Sequence, residues 1–404
     1  MFIKRALTNS FKSAGKQYPV LLIIGSSGTG KTTFLKNLGK DIYNYVSLAP
    51  LDVREQALND PELFLGNNPT PLIIDEIQLV PSLISYIHKS LNKIKNDKTS
   101  CYWLAATQIF SIKKELSIFN EEQLKIFKLY GLSEREINKE KQEKFISDKF
   151  TGIKTSDTPK NFFHKIWLGS YPELRSNKNI DKISFYQKLV KNYIESELNE
   201  IAQIGNKMGF YNFLKAVAAR TGKMLNYAEL AEESDISLPT AKSYIKILEI
   251  SGIIKLIYPY KTEFSPLMVS TPKLYMLDTG LVSYLTSWND SNAMADGAFA
   301  TQIYETKCVS EIIKSFVNNG VEPNLFYYRD RATSPKEIRL ILECDNVLYP
   351  IEFKRSITVT PEAVKNFDKL RVFKKNIGQG TLINFAKEEY FLKKNVKVLP
   401  VYWL

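Results

Sequence analysis

The chain has 404 residues, 44% of them apolar and 24% charged, and a formal net charge of +12. That length holds roughly two to four domains, each with its own core, and no apolar run approaches the ~18 residues that span a bilayer, which excludes a membrane helix. The three cysteines (Cys101, Cys308, Cys344) and two histidines (His88, His164) show no paired ligand spacing, so neither a disulfide framework, nor a zinc ribbon, nor a histidine-based catalytic centre is indicated, and the positive balance suits an anionic partner.

The basic start MFIKRALTNSFKSAGK is followed only by the short apolar PVLLII; we read no export signal and expect a cytoplasmic protein. Residues 20–33 read VLLIIGSSGTGKTT, which is a buried parallel strand, then Gly25-x-x-x-x-Gly30-Lys31-Thr32, then a helix. This is the phosphate-binding loop in its full context. Backbone N–H groups along Gly25, Ser26, Ser27, Gly28, Thr29, Gly30, Lys31, Thr32 and Thr33 curl around the phosphates of ATP, Lys31 neutralises the β and γ groups, and the Thr32 hydroxyl ligates Mg²⁺. A second strand, PLIIDEIQ, ends in Asp75 and Glu76. One carboxylate is placed to hold Mg²⁺ with Thr32, the other to orient the attacking water. YNYVSL and CYWLAA supply two more strands, the latter ending at Thr107 and Gln108, which read as sensors of the γ-phosphate. Strand alternating with helix predicts a parallel sheet carrying the nucleotide at its carboxyl edge.

Segment 139–205 reads as a charged helical connector, with KEKQEKF as a solvated face and GSYPEL as a turn. Over 206–265, NYAELAEES and LPTAKSYIKILEISG make two short helices about a tight turn, with Ser237 as N-cap, Gly252 as helix stop and IIKLIYPY as a wing strand. Ala241, Ile245 and Leu248 repeat toward a core, which leaves Thr240, Lys242, Ser243 and Lys246 toward solvent, as a DNA-recognition helix requires. Such helices also bind proteins, and nothing here encodes base readout.

In the last segment, 266–404, EIRLILECDNVLYPIEFKRS reads as a hairpin turning at Cys344 to Asn346. Glu352 and Lys354 share one strand face while Ile351 and Phe353 go to the core. A carboxylate beside a lysine suits metal-assisted hydrolysis. The basic residues around it (Arg329, Arg331, Arg355, Lys365, Lys369, Arg371, Lys374, Lys375) suit a nucleic-acid backbone.

In order along the chain, GSSGTGKTT, LIIDEIQLVPSL, WLAATQIFS, GSYPEL, KLYMLDTGLVSYL, PIEFK and the terminal VLPVYWL resemble the AAA-like P-loop ATPases of bacteria and archaea that carry a C-terminal domain of unknown function. The resemblance covers nearly the whole chain. It implies an α/β architecture: an AAA-like P-loop NTPase parallel sheet over 1–138, a helical connector over 139–205, a winged helix over 206–265 and a restriction-endonuclease-like α/β domain over 266–404. It also aligns Glu305 with an acidic residue of the nuclease fold's first helix and Arg339 with its metal-binding aspartate. The sequence departs from the family elsewhere too. The sensor string reads Ala105-Ala106-Thr107-Gln108, the arginine before the last core strand is Gln123, and an Arg-Asp pair is Glu200-Ile201. Nucleotide binding is therefore the firmer expectation and fast hydrolysis the weaker one.

The reading is a weak AAA-type ATPase or nucleotide switch, with ATP and Mg²⁺ as cofactors, coupled to a C-terminal region that binds DNA, RNA or a protein partner. The alternative is a non-catalytic nucleotide-binding scaffold. A metal-dependent nuclease ranks below both, because Arg339 brings a positive charge to the metal position and pairs with Glu352, which leaves Glu305, Glu352 and Lys354 as vestigial nuclease residues.

Overall fold

The structure, a computed structural model, describes residues 2–91, 100–107, 109–153, 155–197, 206–261, 269–332 and 336–404. Gln108, Glu200 and Ile201 lie outside the described residues. The apolar run at residues 20–24 forms β1 (Val20–Ile24), buried at every position as the middle of a parallel sheet demands. With β2 (Asn44–Ser47), β3 (Leu72–Asp75), β4 (Tyr102–Ala106) and β5 (Leu124–Lys128) it makes a parallel sheet of order β2-β3-β4-β1-β5. Alternation along β1 sends Leu22 and Ile24 to one face with Ile74 and Leu104, and Leu21 and Ile23 to the other with Phe11 and Phe34. Ile24 pairs with Ala106, so the next residues of β1 and β4, Gly25 and Thr107, emerge together at the carboxyl edge.

The sequence reads as helical from 139, but residues 139–153 carry no helix. The Arg135 guanidinium accounts for this: it donates to the carbonyls of Lys141, Thr151 and Trp403 at 2.9, 2.6 and 2.9 Å. Those bonds hold the segment as a loop, with Phe145 and Phe150 buried beneath it rather than on a solvated face. Helices follow at Pro159–Leu168, Pro172–Ser176 and Lys182–Asn192.

The two helices about a turn are Tyr227–Glu233 and Leu238–Ile250. Ser237 caps the second by accepting from the Thr240 N–H at 3.2 Å. After them β6 (Ile254–Pro259) pairs antiparallel with β7 (Lys273–Met276) and parallel with β8 (Asn324–Arg329). The helix pair is thus tied to the chain's second sheet, which crosses residue 265. That sheet continues through β9 (Glu337–Cys344), β10 (Val347–Phe353), β11 (Asn376–Ile377), β12 (Gly380–Asn384), β13 (Tyr390–Lys393) and β14 (Val396–Pro400). Its order is β13-β14-β12-β10-β9-β8-β6-β7, with β11 added on β10. The β9–β10 hairpin turns at Asp345 and Asn346, both left-handed at φ 51° and 61°, the conformation that a two-residue hairpin selects.

A helix at Ala300–Val317 runs through the middle, buried along nearly its whole length. Around it one apolar core joins Tyr130 of the first domain to Phe162, Tyr304, Phe385 and Tyr402. No described helix is long and apolar enough to cross a membrane.

Candidate functional site

The phosphate loop leaves β1 at Gly25. A Cβ there would stand 2.2 Å from the Leu129 carbonyl oxygen, so only glycine fits. Gly28 and Gly30 hold φ of 79° and 93°, which lets the backbone curl before the helix Lys31–Gly39 begins. The Lys31 ammonium donates to the carbonyls of Gly25 (2.6 Å) and Ser26 (3.3 Å), and Thr29 Oγ1 donates to the Ser26 carbonyl at 2.8 Å. Ser26, Ser27 and Thr32 are half-buried, and Thr33 is exposed.

β3 delivers the acidic pair. Thr32 Oγ1 donates to Asp75 Oδ2 at 2.6 Å, and the Tyr45 hydroxyl donates to the same oxygen at 3.0 Å. Burial, and then the Asp75 charge, push the Tyr45 phenol well above its ordinary range, so it remains a donor. Glu76 sits left-handed at φ 58°, a conformation that costs free energy in a non-glycine residue and clusters at functional sites. Its carboxylate accepts from Thr107 Oγ1 at 2.9 Å and from the Gln78 side chain, whose oxygen in turn accepts from the Thr107 N–H at 3.3 Å. Thr107 therefore stands beside Glu76 at the carboxyl edge. Gln78 and Tyr45 were not singled out by the sequence.

Arg5 was also missed. It is buried, and its guanidinium donates to the Thr29 carbonyl (2.9 Å), the Tyr130 carbonyl (2.6 Å) and Glu136 Oε1 (3.1 Å). Glu136 completes a capping box with Ser133 and accepts from Asn318 Nδ2 at 2.9 Å, just past the long buried helix. Gln123 precedes β5 at the opposite end of the strand from the loop. Five residues of strand, ~16 Å, separate that end from the phosphate edge, so an arginine there would not reach this chain's own γ-phosphate.

Beside Gly25 and Thr107 opens a cavity of about 660 Å³, walled by Phe110 and Lys128 of the first domain and by Lys246 and Gly252. Of the recognition-helix candidates, Lys242 and Ser243 are exposed, and Thr240 is half-buried, its hydroxyl 2.8 Å from the Ser237 hydroxyl. Lys246 faces the cavity.

The C-terminal candidates do come together. Leu340 pairs with Ile351, which puts Arg339 opposite Glu352 on the next rung, and the buried helix brings Glu305. The Arg339 guanidinium lies 3.4 Å from Glu305, 3.5 Å from Glu337 and 3.8 Å from Glu352, and Lys354 is 3.6 Å from Glu352. Burial lowers Arg339, but the three carboxylates outweigh it and strengthen its hold on the proton. For Glu352 burial wins over Lys354 and Arg339 and pushes its carboxyl up to about 7. Among the described residues no three His, Cys, Asp or Glu side chains are arranged to hold a metal ion.

Comparison with known proteins matches residues 17–138 to the family described as AAA domain. Residues 159–292 and 300–404 match two families described only as domains of unknown function, DUF8612 and DUF4143. Uncharacterized proteins of Mycobacterium tuberculosis and Mycobacterium bovis are each 23% identical over 84% of this chain and 71% of their own length. Among solved structures, the Walker-type ATPase PABY2304 of Pyrococcus abyssi is similar at 11% identity and a TM-score of 0.41, over 70% of this chain and 96% of its own. A mutant form of RuvB from Thermotoga maritima follows at 14% identity and a TM-score of 0.29, over 62% and 85%. The loop, the acidic pair and the family match together mark residues 17–138 as an AAA-type P-loop region built to bind a nucleotide.

Proposed function

We propose that the protein is a slow AAA-type ATPase acting as a nucleotide switch for a C-terminal half that binds nucleic acid. The observation that carries the reading is Thr32 and Asp75 in contact at 2.6 Å, with Glu76 next in sequence and held by Thr107. Bound ATP with Mg²⁺ would supply the phosphoanhydride and a cation that offsets phosphate charge. Lys31 would balance phosphate charge, Thr32 and Asp75 would hold the cation, and Glu76 would take the proton of the attacking water. The donor set fits that group: a loop ammonium, a hydroxyl and two carboxylates meet at one sheet edge. Turnover is slow on this reading because Arg5, the guanidinium bonded to the loop, is committed to three carbonyls and Glu136, whereas a transition-state arginine is worth ~10³ or more in rate.

The C-terminal half is read as a winged helix fused to a nuclease-like fold that has lost its metal aspartate to Arg339. Support comes from exposed Lys242 on the second helix and the carboxylate-bound arginine on the hairpin. The test is phosphate release with and without single-stranded or duplex nucleic acid, beside Glu76→Gln. The expected result is slow release, faster with nucleic acid, and a variant that binds ATP as tightly yet releases none. Equal release by both proteins would favour a scaffold that holds nucleotide without hydrolysing it.

A further inference from the structure

The charged cluster under β9 and β10 is built in two layers. The inner layer holds Glu305, Glu337 and Glu352, whose side chains are 9%, 17% and 8% exposed, and Lys273 at 2%. It is closed by its own hydrogen bonds: the Tyr275 hydroxyl donates to Glu305 at 2.7 Å, and Lys273 donates to Glu337. The outer layer holds Arg339, Lys354 and Arg329, at 41%, 42% and 33% exposed. An anion arriving from solvent meets the cations first.

That outer layer has donors to spare. The Arg339 guanidinium carries five N–H groups, and its three carboxylate neighbours stand at 3.4–3.8 Å. Neither that guanidinium nor the Lys354 ammonium donates a hydrogen bond to any described residue. Four cations face three carboxylates, so one positive charge is left over even with every group ionised.

We infer that Arg339 and Lys354 form a metal-free clamp for a phosphodiester of a nucleic-acid backbone, the guanidinium standing where a nuclease would hold its cation. A guanidinium fork matches two phosphate oxygens in one plane, which a carboxylate-bound Mg²⁺ matches by coordination. It has no coordination site for water and does not lose its proton, so the clamp holds the strand without cutting it. A polyanion suits the surroundings better than a single acid. Asn366 Nδ2 donates to the Glu337 carbonyl at 3.1 Å, which sets the segment Pro361–Phe373 beside the cluster and brings exposed Lys365 and Lys369 with it. This inference rests on the nucleic-acid reading of the C-terminal half proposed above.

The experiment measures fluorescence anisotropy of labelled single-stranded DNA, single-stranded RNA and duplex DNA with the full chain over a series of salt concentrations. The natural protein is compared with Arg339→Gln and Lys354→Gln, after circular dichroism has shown which variants fold. Lys354→Gln changes a half-exposed side chain whose one ion pair among the described residues is with Glu352, so it tests the clamp even if Arg339→Gln unfolds. Each folded variant is expected to bind about tenfold more weakly, as for a charge-assisted contact. Each is also expected to flatten the slope of log affinity against log salt by about one phosphate's worth. The preferred substrate names the source of the phosphodiester. Tight binding by the natural protein with unchanged affinity and slope in both variants would overturn the clamp and leave the wider reading standing. No binding of any of the three probes at low salt would overturn both. Displacement by poly-glutamate as effective as by unlabelled strand would assign the cluster to an acidic protein instead. Cleavage in Mg²⁺ or Mn²⁺ that vanishes in Glu352→Ala would show a working nuclease and end the proposal.

Discussion

The Lys31 ammonium rests on the carbonyls of Gly25 and Ser26, inside the loop that phosphates enter. Its contact with phosphate is charge-assisted, so Lys31→Ala should weaken nucleotide binding by ~1.5–3 kcal/mol, read by titration calorimetry with a non-hydrolysable ATP analogue. Unchanged affinity would remove the lysine from the site. Gly25, Lys31, Thr32, Asp75, Glu76 and Thr107 were legible because each follows a strand by one or two residues or lies within a short motif whose spacing the chemistry demands. Arg5, Tyr45 and Gln78 were not. Arg5 meets Glu136 across 131 residues of chain and Tyr45 meets Asp75 across 30, and no local pattern marks either partner. Gln78 lies only two residues past Glu76, but its use depends on a left-handed turn that residue type alone does not announce. Around Arg339 the pairing with Glu352 was visible in the hairpin and Glu305 in the resemblance, whereas Glu337, two residues back on the same strand, was not named as its partner.

The helix Ala300–Val317 carries buried charge as well as apolar side chains. Lys307 lies 2.8 Å from Glu134 and 2.9 Å from Glu311, Lys314 is 3.1 Å from Glu311, and Arg175 is 2.7 Å from Glu134. Burial alone would raise both carboxyls; for Glu134 the cations Lys307, Arg175 and Lys165 outweigh it, and for Glu311 Lys307 and Lys314 do. Both are held below the usual carboxylate range in the folded state. Their contribution to stability is therefore complete above pH 4.5, the unfolded value, and is lost as pH falls from there toward the lower folded values. Removing one partner leaves buried charge uncompensated, so Lys307→Met should cost about 3 kcal/mol at neutral pH. It should also flatten the fall in stability below pH 4.5, because the folded carboxyls then titrate closer to their unfolded value. Denaturant titrations at several pH values decide it, and a uniform loss at every pH would mean that the lysine does not keep the carboxylates ionised. At this scale the strands β1 to β4 and the helix pair were readable from apolar runs and caps. The loop 139–153 was not, since Arg135 shapes it with carbonyls as distant as that of Trp403.

Across the whole molecule, the order of parts could be read because each motif has its own place along the chain. Their joining could not, because β6 bonds to β8 far along the chain and strand pairing leaves no local trace. The Ala300–Val317 helix, about 27 Å long, is the element that spans the two charged sites. Glu305 near its start belongs to the Arg339 cluster. Asn318 at its end bonds Glu136, which bonds Arg5, which bonds the Thr29 carbonyl inside the phosphate loop. Linkage makes such an arrangement answerable in either direction: if the cluster takes the nucleic-acid strand proposed above, the factor by which ATP changes the affinity for that strand must equal the factor by which the strand changes the affinity for ATP. Two independent titrations on the Glu76→Gln protein, where hydrolysis does not blur the equilibrium, should return one number. Asn318→Ala should bring both factors toward one together, whereas a shift in either alone would place the connection somewhere other than this helix.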